Sequence, residues 1–345
     1  MVTNFVQVVS NGVKAVAAGS AHSVVLVKDG SVWLTGTNMF GQIGEGSNTG
    51  TQTFVQLIAS GAKAVAAGAK HSLVVMRDGS VWATGLNRHG QLGDGSTTQR
   101  NMFVQVALRD SLVVRAVTAG SEHSMVLKED GSVWATGANW KGQLGAGSAS
   151  AKNNFVEVIP RGIKAIDAGT YHSMALTRDG SVLVTGDNSF GQLGDGTTMA
   201  RTSFVEVINH GAKAVAAGHE HSIILGQFGS VWATGRNNFG QLGAGERAGI
   251  RIFVLVLSGG AQTVAAGDWH SMVLKYDGSV WVTGANVYGQ LGDGSTSSKN
   301  EFVKLEPSAC RTVPQVSRIC RVCPPRSVEL GWIFVKPRGQ SQPLA

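Results

Sequence analysis

GSAHS at residues 19–23 decides the fold, because its histidine–serine pair returns at His71, His123, His172, His221 and His270, at intervals of 49, 52, 49, 49 and 49 residues after His22. The frame around it also returns, as GAKHS, GSEHS, GTYHS, GHEHS and GDWHS. Each pair is followed by a DGSVW-type segment and then by a loop of the form NxxGQLG, from NMFGQIGEGS at Asn38 to NVYGQLGDGS at Asn286. A short apolar run then begins at Phe54, Phe103, Phe155, Phe204, Phe253 or Phe302, and one further copy of it begins at Phe5, ahead of the first unit. A fixed period near fifty residues is the mark of a repeat architecture.

Working outward, each unit holds four short apolar runs punctuated by glycine, which predicts four strands. In the second unit these fall at residues 54–58, 63–67, 71–76 and 80–84. The last two are joined by Asp78-Gly79, expected to supply the positive φ values of a two-residue hairpin turn. The device recurs at Asp29-Gly30, Asp130-Gly131, Asp179-Gly180 and Asp277-Gly278, while the fifth unit has Phe228-Gly229. Four strands cannot bury both faces alone, so the units must stack, and radial stacking of four-stranded sheets is an all-β propeller. Six regular units predict six blades, with seven as the alternative. The runs at Phe5 and Phe302 compete for one place, and the expectation is that Phe5 completes the sixth blade and leaves Phe302 surplus.

Composition divides the chain in two. Of 47 glycines only Gly331 and Gly339 lie beyond residue 305, whereas all 3 cysteines and six of the 7 prolines lie there. Residues 1–305 therefore read as the propeller and 306–345 as an irregular, flexible extension. Cys320 and Cys323 form a CxxC pair with Cys310 nearby, short of a zinc set of four. The net charge of +7 in 345 residues is spread rather than gathered in a stripe, which argues against nucleic acid as the partner. The N-terminus lacks a basic segment followed by an unbroken apolar core, and no apolar stretch reaches membrane-spanning length. The expectation is an intracellular protein, cytoplasmic or nuclear.

The combination GxxHS, DGSVWxTG and NxxGQLG resembles the regulator of chromosome condensation repeat, from about residue 5 to residue 305. That resemblance implies a propeller, seven-bladed in the best-known members, and it implies several activities. One is guanine nucleotide exchange on a small GTPase through a propeller face and an inserted β-wedge. Here the sole length irregularity is three extra residues around 108–114, too short for a wedge. A second is DNA contact through a basic N-terminal arm, but Lys14 is the first basic residue of this chain. A third is ultraviolet-B photoreception through tryptophans in GWRHT motifs. No GxxHS copy here has tryptophan first and arginine second, and Trp269 stands one residue out of place.

The recurrent residues read as framework. Trp33, Trp82, Trp134, Trp232 and Trp281 share one position and are expected to pack between sheets. The six histidines at His22, His71, His123, His172, His221 and His270 are expected to bond backbone groups at tight turns. Sheets about 10 Å apart would hold equivalent imidazoles too far apart for one zinc. The pair His219 and His221 is a weak local metal signal. Asp94, Asp195 and Asp293 recur in the loop, but Ala146 and Ala244 replace them, against a calcium ligand in every blade. The GQLG glycines lack a phosphate loop's lysine and following helix. No serine, histidine and acid set departs from the repeat as a catalytic constellation would, so no catalytic residue, metal or cofactor is expected.

Repeat scaffolds hold their framework and vary exposed loops for binding. Two series vary here. The residues before each histidine include Lys70, Glu122, Tyr171, Glu220 and Trp269, and the NxxG loop contributes Arg88, Trp140 and Lys141. Aromatics beside charges point to a protein-binding rim. The loop aromatics Phe40, Phe190, Phe239 and Tyr288 admit a framework role equally well. The expected function is a non-enzymatic protein-binding scaffold. The alternatives are an exchange factor for a small GTPase and a chromatin or DNA binding module.

Overall fold

The structure, a computed structural model, describes residue 9, residues 12–108 and residues 113–306. The run at Phe5, the centre of the irregularity near residue 110, and the extension with Cys310, Cys320 and Cys323 lie outside the described residues.

Blade 1 consists of β1 (Val13–Ala18), β2 (His22–Val27), β3 (Val32–Gly36) and β4 (Thr51–Ile58), antiparallel throughout. The same four-strand order recurs in residues 62–106, 114–159, 163–208, 212–257 and 261–304, giving six blades in a ring, a six-bladed β-propeller. Among the described residues no helix is long and apolar enough to cross a membrane. The blades are out of phase with the sequence units by one strand. Phe54 lies on β4, which pairs with β3 of the preceding unit, because the NxxGQLG loop turns back beside β3 before the chain crosses to the next blade. The sixth blade is likewise closed by its own strand Lys299–Lys304, which carries Phe302. Phe302 is therefore not surplus, and the place expected for the run at Phe5 is taken.

The Asp-Gly turns also differ from expectation. Only their glycines have positive φ, 88° at Gly30 and 88° at Gly79, for example. Gly30 N–H donates to the Val27 carbonyl and Val27 N–H to the Ser31 carbonyl, so the loop is a three-residue type I turn with a glycine bulge. The aspartate acts as a local cap, its Oδ1 accepting the Ser31 N–H at 2.8 Å. In blade 5, Phe228 replaces that aspartate and itself takes φ 58°.

The core lies between blades rather than within one. Val24, Leu26, Val32, Leu34 and Ile43 of blade 1 close on Ala62 and Val74 of blade 2. Leu73, Val75, Val81 and Leu92 of blade 2 close on Val114, Val126 and Phe155 of blade 3. Burying one apolar face of each sheet on the next is what stabilises units that cannot fold singly. The five tryptophans are less enclosed than expected. Trp134 and Trp281 touch the preceding blade's core from its edge, and Trp232 is exposed. Their indole N–H groups donate to the serine two residues earlier, as from Trp33 to Ser31. The position lies beside the outermost strand, with Trp33 opposite Gln56, where the sheet edge meets water.

The histidines stitch the blades together, in a way the sequence did not suggest. His22 Nε2 lies 2.9 Å from Ser72 Oγ of the next blade, and Ser72 Oγ donates to the Gln42 carbonyl at 2.7 Å. The hydroxyl has one proton and the carbonyl takes it, so the imidazole must donate and carries its hydrogen on Nε2. The relay repeats from His71 to Ser124, His123 to Ser173, His172 to Ser222 and His221 to Ser271. The expected backbone bonds are replaced because each ring spans the gap between sheets. The ring needs glycine three residues earlier: a Cβ on Gly120 would stand 2.1 Å from His123 Cε1. Burial pushes these imidazoles down, to about 4 in His22 and about 3 in His123, so they stay neutral.

Candidate functional site

Strand direction places the two variable series together. Neighbouring strands run antiparallel, so the β1–β2 turn and the β3–β4 loop of every blade open at the same end of the sheet. The residues before the histidines and the NxxG loops therefore share one face of the ring.

On that face the side chains form a continuous run across blades 2 to 6. His89 meets Trp140 edge to face, ring centroids 4.8 Å apart, and Trp140 lies 6.2 Å from Tyr171. Tyr171 is followed by His219 at 6.4 Å, and His219 stacks on Trp269 at 4.5 Å with 25° between the planes. Phe239 closes the run against Trp269 at 5.6 Å. Each step joins one blade to the next or a loop to its neighbouring turn, so the ring's curvature is what brings these residues together.

Charges are threaded through the aromatics in pairs. Arg88 of blade 2 reaches Glu122 of blade 3 at 2.5 Å, and Lys141 of blade 3 reaches Asp187 of blade 4 at 3.3 Å. Arg236 holds Glu220 at 2.8 Å while its guanidinium lies over Phe190 at 4.6 Å and Trp269 at 5.1 Å. Arg236 Nε is buried and has no hydrogen-bond partner among the described residues. Lys70 sits apart from the run, over Phe40 at 4.6 Å. Burial raises the Tyr171 hydroxyl above its ordinary value, and Glu122, Asp187 and Glu220 raise it further. Three carboxylates thus surround one phenol, each balanced by its own cation.

The structure brings Arg88, Glu122, Trp140, Lys141, Tyr171, Glu220 and Trp269 into one surface and leaves Lys70 at its margin. Sequence reasoning missed Asp187 and Arg236. Both occupy the residue after the strand-ending glycine, where the other blades have Thr37, Leu86, Ala138 and Ala285. A charge at an otherwise small or apolar repeat position was the available signal. The loop aromatics combine packing against the neighbouring blade with exposure. Phe40 and Phe190 support a cation from the next blade, and Phe190 and Tyr288 still face solvent. His219 stacks on Trp269 whereas His221 points to Ser271, so the two do not converge on one point. Asp94 accepts from Asn87, Ser96 and Arg100, which makes it a loop brace; burial raises its carboxyl, but those bonds outweigh it and hold it below the ordinary range.

The family model for the RCC1-like domain matches residues 2–320. A search of curated proteins returned no match. Among solved structures, yeast RCC1 (Prp20), in its complex with Kap60, superposes with a TM-score of 0.77 at 22% identity, covering 86% of this chain and 75% of that one. Human WBSCR16 gives a TM-score of 0.77 at 19% identity, covering 86% and 82%. Prp20p from Saccharomyces cerevisiae, solved separately, gives 0.76 at 22% identity, covering 86% and 77%. At these identities the likeness is one of fold.

Proposed function

Since the chain belongs to the RCC1-like domain family, we propose that it works as a protein-binding propeller whose contact surface is the rim of Arg88, Glu122, Trp140, Lys141, Tyr171, Glu220 and Trp269, with Lys70 at the edge. The observation that carries this reading is the unbroken aromatic run from His89 to Trp269, interleaved with paired charges. Tryptophan, tyrosine and arginine are the side chains on which binding energy concentrates at protein interfaces. Trp140, at 43% exposure, presents a large apolar area already held by its neighbours, so little rotamer freedom is lost on binding.

A second reading is nucleotide exchange on a small GTPase, and a third is association with chromatin. Both draw on the yeast relative Prp20p, which was studied for its binding to Gsp1p and histones. The test compares capture by the purified chain with capture by a Tyr171→Ala, Trp269→Ala variant, alongside nucleotide release from a small GTPase in the presence of each. A partner retained by the chain and lost with the variant supports the rim. Accelerated nucleotide release would replace the scaffold reading with the second, and capture indifferent to both substitutions would remove the rim altogether.

A further inference from the structure

The first strands of the six blades, at residues 13–18, 62–67, 114–119, 163–168, 212–217 and 261–266, lie beside one another in succession with Cα atoms within 8 Å. The remaining strands of each blade follow outward in order, so these six surround the axis of the ring. Their second residue is Lys14, Lys63, Arg115, Lys164 and Lys213 in blades 1 to 5, and Gln262 in blade 6. The register skips that residue every time. Val13 pairs with Val27 and Ala15 with Leu26, and Lys63, Arg115, Lys164, Lys213 and Gln262 are passed over in the same way. Each cation is thus the extra residue of a β-bulge, a device that re-aims a side chain. The faces of a blade pack on neighbouring blades, so a side chain turned off them at the innermost strand meets water at the axis. Lys14, Arg115 and Lys213 are exposed, and Lys63 and Lys164 half-buried.

The circle is braced from blade to blade. Lys14 Nζ donates to the Lys63 carbonyl at 3.1 Å, and Lys164 Nζ to the Ala212 carbonyl at 3.5 Å, each on the next blade's first strand. An ammonium has three donors, so two remain on each of these lysines. Among the described residues none of the five cations has a carboxylate partner. Outside the described residues the only acidic side chains are Asp110 and Glu329. Like charges gathered round a narrow opening focus their field on it and draw in the opposite charge.

Placement along and around the axis selects the size of the anion. The cations stand at the start of each first strand, at the end opposite the rim, and beyond them these strands carry no second cation. Deeper in stands Asp167, accepting from the Thr118 hydroxyl at 3.2 Å and the Ala217 N–H at 2.8 Å. An acidic polymer threaded along the axis would leave the cations behind and meet that carboxylate. Outside the mouth, Asp29, Asp78, Asp130, Asp179 and Asp277 occupy the turns between second and third strands, on the same face but farther from the axis. Hydrogen bonds from the Ser31 and Ser80 N–H groups hold Asp29 and Asp78 below the ordinary carboxylate range, so that outer circle is ionised. It repels a nucleic acid or an anionic membrane laid across the face. A compact anion seated at the centre avoids both.

We propose that the axial mouth opposite the rim is a binding site for a small, soluble polyphosphate anion, held by Lys14, Lys63, Arg115, Lys164 and Lys213. Each phosphate group bridges adjacent cations through charge-assisted hydrogen bonds, and the brace between blades keeps those cations in place before the anion arrives.

The probe is myo-inositol hexakisphosphate, titrated calorimetrically into the full 345-residue chain at about 0.15 M salt. The expected result is saturable one-to-one binding, weakened at least tenfold in a Lys63→Gln, Arg115→Gln, Lys213→Gln variant. Gln262 already occupies the same bulge in blade 6, so the fold accepts glutamine there. A Lys28→Gln, Arg178→Gln variant, which removes two turn cations from the same face, should bind as the parent does. Absence of binding overturns the proposal, and so does a loss as large in the turn variant as in the ring variant. A short DNA duplex, a decaglutamate peptide and vesicles containing phosphatidylinositol bisphosphate are titrated in parallel. Any of these binding more tightly than the probe, with the same dependence on the ring cations, overturns the small-anion assignment in favour of that partner. The rim variant Tyr171→Ala, Trp269→Ala should bind the probe as the parent does, which separates this site from the proposed scaffold surface.

Discussion

Ser173 and Ser23 occupy the same repeat position, and the structure assigns them very different energies. Replacing Ser173 by alanine removes the hydroxyl that accepts from His123 Nε2 at 2.9 Å and donates to the Gln143 carbonyl at 2.7 Å. Both groups are buried, and no other protein partner replaces the hydroxyl. Each orphaned group costs about 1–3 kcal/mol, so the substitution should destabilise the propeller by about 2–6 kcal/mol in all. Among the described residues Ser23 accepts from no histidine and donates to no loop carbonyl, and the cost of Ser23→Ala should stay within about 0.5 kcal/mol. Urea denaturation followed by tryptophan fluorescence, with the two variants and the parent at one protein concentration, measures the difference directly. If the two substitutions cost the same, the relay is not what binds the blades, and the reasoning is refuted.

Protonation gives a second expectation. The stitching histidines have folded values of about 3 to 4 against an ordinary 6.5, so below pH 6.5 the unfolded chain binds protons that the folded chain does not. Stability should be flat in this contribution above pH 7 and fall as pH drops from about 6.5 towards 4, by up to about 1.4 kcal/mol per pH unit for each histidine. A denaturation midpoint independent of pH from 7 to 4.5 would contradict it. The blade 5 turn gives a third: Phe228, 87% exposed at φ 58°, should be improved on by Asn, which tolerates left-handed backbone, with a gain of about 0.5–1 kcal/mol in the same assay. A loss would mean that the exposed ring makes contacts that outweigh its backbone cost. A fourth concerns packing: Gly120→Ala places a methyl 2.1 Å from the His123 ring and 2.4 Å from the Gly169 carbonyl, and should cost about 3 kcal/mol or more. Near-parental stability would show that the ring has room to move.

How much of this was legible varies by residue. The GxxHS period gave the blades their number, and the glycine of each Asp-Gly pair gave the turns, because periodicity and left-handed backbone are local properties of the chain. The varying residues before each histidine pointed to the rim for a similar reason, since a departure from a repeat is visible in sequence. Asp187 and Arg236 were visible in the same sense but carried meaning only once their partners Lys141, Glu220 and Phe190 stood beside them. The sixth blade's closure by Phe302 rather than Phe5 could not be read, because the two runs are alike and only pairing distinguishes them.

The sequence by itself determined a ring of stacked four-stranded units, since a repeat with one apolar face per side has no other way to bury it. Tertiary structure alone decided which neighbour each conserved-looking group meets. Histidine and serine are adjacent along the chain, yet the bonds that matter join each histidine to a serine about fifty residues away on the next blade. Local sequence specifies the torsions of a strand or turn, whereas the gap between sheets is set by how whole blades pack, and it is across that gap that the rim is assembled.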